Sequence, residues 1–232
     1  MSLLVTGSIG IDTVKTPTGK RSDVLGGSAI YFSYAASFFT PVRLVGVVGE
    51  DCPMQILSIF EGRTVDTSGL EVRKGSKSFR WHGSYVSDLN EARTIETQLN
   101  VLAEKAPNIP AGFCDSSYVF LANTHPVLQQ QMLSCLKKPR LVVADTMNLW
   151  INTERPELLN LLKRIDGLVL NDGEARMLTE KKCSKWAPSS SSSRRANTAA
   201  CCARSRKPSY YLHIRPKKSS IQPAPVTASP VA

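Results

Sequence analysis

Three short apolar runs, each stopping on a polar residue, constrain the fold of this chain more than any other feature. Tyr118-Val119-Phe120-Leu121-Ala122 stops at Asn123, and Leu141-Val142-Val143-Ala144 stops at Asp145 with Thr146-Met147-Asn148 as its loop. Leu168-Val169-Leu170 stops at Asn171. Pro126 to Lys137, with proline in its first turn, and Pro156 to Ile165, which Thr153 can cap, read as the intervening helices. Glu174 to Leu178 suits a third helix. Strand and helix alternating with short links predict right-handed βαβ crossovers and a mostly parallel sheet covered on both faces. Leu3-Leu4-Val5-Thr6 and Val42 to Val48 add two further buried strands. Asn123, Asp145, Asn148 and Asn171 then fall at carboxyl ends of strands, the edge of an open α/β sheet where ligands bind. Each of the four also reads, taken singly, as an ordinary turn residue.

The strand Leu3 to Thr6 runs into Gly7-Ser8-Ile9-Gly10-Ile11-Asp12, whose glycine spacing is not that of a dinucleotide fingerprint. Asp12 ends the turn where a carboxylate can accept hydrogen bonds from a ligand's hydroxyls, and it reads equally well as an Asx-turn residue. Leu25-Gly26-Gly27-Ser28-Ala29 precedes Ile30 to Phe39, a segment so apolar that a helix covered on all sides is expected. A glycine pair before a helix lets backbone approach a ligand closely. Between Lys77 and Ser87 the period changes to two, with Phe79, Trp81, Gly83 and Tyr85 alternating against Arg80, His82 and Ser84. That is a strand with one exposed face, in a small separate sheet, and His82 on it reads as a solvated residue rather than a ligand or base. Asn171 and Glu174, three apart, can both face a metal or phosphate at the last strand end, or serve as N-cap and N3 of the following helix.

Charge divides the chain. The formal net charge is +10, yet 11 of the 29 basic residues lie in 181–232, which holds no Asp or Glu. Residues 1–180 are left with 18 basic against 19 acidic groups, so the body carries no nucleic-acid signature. The six cysteines form no CxxC pair, which points to a reducing cytoplasm rather than a disulfide frame or zinc site. No segment reads as a signal peptide or a membrane span.

The ordered set GSIGID, GGSA, VGVVGED, the alternating strand from Phe79 to Tyr85, DTMN and NDGE resembles the PfkB family of carbohydrate and nucleoside kinases, from residue 3 to about 180. The resemblance implies a ribokinase-like three-layer α/β sandwich over 1–180, with a mostly parallel doubly wound sheet and a small β-lid made near 10–25 and 77–88. It implies ATP-dependent transfer of phosphate to a hydroxyl of a small-molecule sugar or nucleoside, with Mg2+, and a homodimer formed through the lid. Asp12, Gly26 and Gly27 would hold the acceptor's hydroxyls, with Asn123 beside them on the substrate, and Asn171 and Glu174 would act on phosphate and magnesium. Tyr31 departs from the family, which usually has an asparagine there.

The family's Gly-Ala-Gly-Asp, with its anion-binding helix start and catalytic aspartate, occurs nowhere in this sequence. From Lys181 the composition turns to Ser, Ala, Arg, Lys and Pro, the mark of a basic, disordered tail over 181–232. The genetic code gives this tail another meaning. The codons of Pro223 to Ala232, regrouped from each third base, can encode Gly-Ala-Gly-Asp-Ser-Phe-Ala-Gly-Gly, and Arg195 to Ala199 in the same phase permit Lys-Gly-Glu-His-Gly. A kinase frame to about Glu180 followed by a shifted one is therefore expected, which makes the tail's basicity, Cys201-Cys202 and His213 by-products. The chain as written is then a catalytically incompetent, truncated kinase with doubtful ATP binding and no catalytic aspartate. The reading from another class is a non-enzymatic binding protein whose basic tail recruits polyanions.

Overall fold

The computed structural model describes residues 2–85, 92–179 and 200–203. A seven-stranded sheet forms its centre. In chain order its strands are β1 (Leu3–Thr6), β4 (Val42–Gly49), β5 (Val65–Arg73), β8 (Tyr118–Leu121), β9 (Leu141–Asp145), β10 (Gly167–Leu170) and β11 (Ala200–Ala203). A second sheet is built from β2 (Gly10–Thr16), β3 (Gly19–Gly26), β6 (Phe79–Tyr85) and β7 (Ala92–Gln98). The helices are α1 (Ser28–Ala36), α2 (Pro126–Ser134), α3 (Asn148–Thr153), α4 (Arg155–Leu162) and α5 (Asp172–Thr179).

The large sheet has the order β11-β10-β9-β8-β1-β4-β5, with every pair from β10 to β5 parallel. Adjacent residues of one strand supply opposite cores. Leu4 is buried with Leu121, Ile151, Leu158 and Leu161 on one face, and Val5 with Ile30, Leu44, Phe120 and Ala122 on the other. This two-sided burial is why the strands read as continuous apolar runs. Arg155 of α4 donates to the carbonyls of Met177 (3.3 Å) and Leu178 (2.8 Å), so the C-terminus of α5 is pinned and its start is left at the strand ends.

The smaller sheet has the order β3-β2-β6-β7. Phe79 and Trp81 pack with Val47 of β4 and with Val101 and Leu102, which seats this sheet on the carboxyl end of β4. Asp51, just after β4, accepts from the backbone N–H of Ser78 (2.6 Å) and pairs with Arg80 (3.2 Å), and Arg80 also reaches Asp23 (2.9 Å).

Four expectations need revision. The apolar segment after Gly27 is not covered on all sides. Only Ala29, Ile30 and Ser33 of α1 are buried, because one face of one sheet offers a single seam, and Phe39 in the turn beyond is 89% exposed. Arg63 lies over the Phe38 ring at 3.7 Å instead of core residues. Thr153 caps nothing: its hydroxyl donates back to Leu149 (3.0 Å), and Glu154 occupies the N-cap position of α4. The loop after Asp145 is shorter than expected, since α3 already begins at Asn148. β7 was not expected, because ARTIETQ shows no apolar face. The expected tail lies outside the described residues except for Ala200–Ala203, whose backbone pairs antiparallel with β10 from Gly167↔Ala203 to Leu170↔Ala200.

Candidate functional site

The six parallel strands end along one rim, and β1, β8, β9 and β10 bring the polar residues to it. Ser8, just past β1, joins the rim together. Its backbone N–H donates to the Asn123 carbonyl (3.1 Å), its Oγ accepts from the Ser28 N–H (3.2 Å), and its carbonyl accepts from Ala29 (3.2 Å). The start of α1 is thereby held against the end of β8.

The glycine pair fits this closure sterically. A Cβ on Gly26 would lie 2.2 Å from the Asp12 carboxyl carbon, and one on Gly27 would lie 2.3 Å from the Ser8 carbonyl oxygen. Gly27 also has φ of 96°, a conformation that L side chains rarely adopt. Asp12 faces the chain at Gly26 with its Oδ1 buried and without a hydrogen-bond partner among the described residues. Burial pushes its pKa from 3.8 to about 6. Tyr31 is close by: burial, then Asp12 and Tyr85, push its hydroxyl up, and that hydroxyl donates to the Leu25 carbonyl (2.6 Å).

At the other end of the rim, Asn171 and Glu174 form a reciprocal capping box. The Glu174 N–H donates to Asn171 Oδ1 (2.8 Å), and the Asn171 N–H donates to Glu174 Oε2 (2.9 Å). The cap reading of the sequence is therefore realised, and it orients both side chains at the strand end. Asp145 sits next to them. Burial first, then the charge of Glu174, push its pKa from 3.8 to about 7, with the Thr146 and Asn123 amides offsetting part of the rise. Burial raises Glu174 as well, against hydrogen bonds from Asn171.

Asn123 lies between the two ends, and its Oδ1 accepts from the Trp150 indole N–H (3.0 Å). Gln129 of α2, only 1% exposed, donates through Nε2 to the carbonyls of Leu121 (3.0 Å), Ala122 (3.1 Å) and Asp145 (3.0 Å), which ties the ends of β8 and β9. Ser8, Gln129 and Trp150 escaped the sequence reading. A buried Gln in an amphipathic helix was a usable signal, whereas the Trp150 contact spans 27 residues and has none. Asn148 is exposed at the start of α3. His82 is away from the rim, in a recess of about 150 Å³ on the smaller sheet, opposite Glu96. Among the described residues no group of three or more His, Cys, Asp or Glu is arranged to hold a metal ion.

No family model matches the chain. A cytidine kinase of Thermococcus kodakarensis is 26% identical over 182 residues, which is 77% of this chain and 64% of that protein. In sequence the described body is thus similar to a nucleoside kinase, and in fold to solved structures of the ribokinase family. Its ribokinase-like fold is shared with a ribokinase from Cryptococcus neoformans var. grubii solved with ADP, at TM-score 0.60 and 18% identity over 77% of this chain and 59% of that one. A nucleoside kinase from Methanocaldococcus jannaschii gives 0.56 and 14%, over 77% and 63%. A fructokinase from Xylella fastidiosa with bound ATP gives 0.61 and 18%, over 77% and 64%. The chain thus spans just under two thirds of the length of the kinases it resembles. No helix among the described residues is long and apolar enough to cross a membrane.

Proposed function

We propose that this kinase-like body is the acceptor-binding side of a PfkB-type phosphotransferase. Its acceptor would be a hydroxyl of a small-molecule sugar or nucleoside, and the family's cofactors are ATP and Mg2+. The observation that carries the reading is the Asp12–Gly26 contact. A half-buried carboxylate with one unpartnered oxygen, held against backbone that has no side chain, is suited to accept a hydrogen bond from a hydroxyl placed beside it. Gly27 would keep the helix start open to the acceptor, and Asn123 at the end of β8 would contact it too. Mg2+ would sit at the other end, where burial raises both carboxyls and the charge of Glu174 raises Asp145 further. A divalent cation at that pair supplies charge neutralisation for a phosphate, with Asn171 orienting Glu174.

The residues present do not fit the transferring phosphate of ATP, since the sequence carries no Gly-Ala-Gly-Asp. The chain as written is catalytically incompetent. The codon phase of Pro223 to Ala232 supports a frameshift near residue 180 as the cause. The reading further includes a cytoplasmic location and a homodimer through the smaller sheet.

Calorimetric titration of the purified chain with cytidine, ribose and fructose tests the acceptor reading. One of these should bind, and Asp12→Asn should weaken it at least tenfold. No binding by any of them sinks the acceptor assignment. ATP- and Mg2+-dependent phosphorylation of the bound compound would overturn the incompetence, and resequencing the coding DNA across codons 175 to 232 tests the frameshift. A second reading, a binding protein with a polyanion-recruiting tail, draws on the one-sided charge of 181–232. It requires nucleic-acid affinity that falls steeply with salt and disappears when those residues are removed.

A further inference from the structure

Asn123 has four polar groups, and the fold engages three of them. Its carbonyl accepts from Ser8 (3.1 Å), its backbone N–H is turned to the Asp145 carboxylate, and its Oδ1 accepts from Trp150 Nε1 (3.0 Å). The NH2 group remains, with no partner among the described residues, on a half-buried side chain at the rim. Which end of an Asn amide points where is ordinarily ambiguous. Here the partner decides it, because an indole donates one hydrogen and accepts none. The atom facing Trp150 is the oxygen.

The indole cannot follow a rotating amide. Trp150 is 5% exposed in α3, and the His125 ring lies 5.0 Å from it at 57°. His125 is itself held, with Nδ1 accepting from the Val127 N–H (3.2 Å) and Nε2 lying 3.6 Å from Glu154. An amide flip would bring two donors face to face and leave both without an acceptor.

We infer that Trp150 is a positioning residue: its N–H locks the Asn123 amide with its oxygen on the indole and its NH2 turned away from it, so the end of β8 offers a donor. The use of that donor for an acceptor rests on the function proposed above. The lock itself does not. The ligand class that follows carries an oxygen lone pair, from a hydroxyl, ether or carbonyl, against Asn123. A ligand with an ammonium or other pure donor at the first position is rejected.

The test uses the full chain, isotope-labelled, with cytidine and ribose as probes. Trp150→Phe keeps most of the ring volume and removes the donor. It should shift or broaden the Asn123 side-chain NH2 resonances and weaken probe binding about fivefold, the loss expected for one positioned hydrogen bond. In an Asn123→Ala background the same substitution should change affinity no further. Asn123→Asp keeps an oxygen for the indole but replaces the donor at the rim, and should bind no better than Asn123→Ala. Should Trp150→Phe fail to fold, the Trp150 indole N–H decides, being protected in wild type and Asn123→Asp and unprotected in Asn123→Ala. NH2 resonances unmoved by Trp150→Phe, additive losses in the double variant, or indole protection retained in Asn123→Ala overturns the inference. If neither probe binds wild type but the NH2 resonances respond to Trp150→Phe, the acceptor function fails and the lock stands.

Discussion

Replacing Asp145 by Asn should stabilise the protein, and only above mildly acidic pH. In the native chain burial and then Glu174 raise this carboxyl from its ordinary 3.8 to about 7. The folded state therefore holds a proton that the unfolded state releases near pH 4. Linkage fixes the sign: stability from this group is complete below pH 4 and is lost as pH rises toward 7. Each pKa unit corresponds to about 1.4 kcal/mol, so the full shift amounts to about 4 kcal/mol. Partial solvent access and the shared titration with Glu174 reduce the realised cost to about 2 kcal/mol. Asn keeps the shape and one acceptor for the Thr146 and Asn123 amides but has no charge to bury. Asp145→Asn should thus gain about 2 kcal/mol at pH 8, or roughly 4–8 °C in Tm for a chain of this size, and close to nothing at pH 4. Urea unfolding from pH 4 to 8.5 measures both ends. A stability difference that stays flat with pH, or a variant less stable than wild type at pH 8, refutes the reasoning.

Glu174→Gln keeps an oxygen for the Asn171 N–H while removing the charge, so it should lower the Asp145 pKa, read by carboxyl NMR titration, without loosening α5. Asn171→Ala breaks the box from the other side and should cost about 1 kcal/mol in urea unfolding. Gly26→Ala drives a methyl into the Asp12 carboxylate, and should cost about 2 kcal/mol or more and abolish sugar or nucleoside binding in calorimetry. Millimolar Mg2+ should raise the wild-type Tm at pH 8 but not that of Asp145→Asn combined with Glu174→Gln; an equal rise in both dismisses the cation site.

The parallel strands could be read from the sequence because covering a sheet on both faces demands an unbroken apolar run, and Leu4 and Val5 in opposite cores show that demand being met. β6 could be read because its alternation records one covered face. β7 could not, since an edge strand with Arg93, Thr94, Ile95 and Glu96 all exposed records no burial at all. The segment from Ile30 to Phe39 misled because its composition is apolar whichever way it faces, and only the position of the sheet decides that Phe39 is left out. Asp12, the glycines, Asn123, Asn171 and Glu174 were read as candidates from local motifs. Their couplings, through Ser8, Gln129 and Trp150, join residues far apart in the chain and leave no local pattern.

Asp12, Asp145 and Glu174 all bind protons more tightly in this fold than they would free. Packing does not require that, because asparagine or glutamine would fill the same space at lower electrostatic cost. The three carboxyls also differ in what would relieve them. Asp12 has a buried oxygen without a partner among the described residues and is raised by burial alone, so a hydroxyl donor suffices. Asp145 is opposed by Glu174, so a single hydrogen bond leaves the repulsion in place and only a cation or a proton removes it. Under the function proposed above, the carboxylate of β2 would take the acceptor's hydroxyl, and the pair formed by the end of β9 and the start of α5 would take a divalent cation.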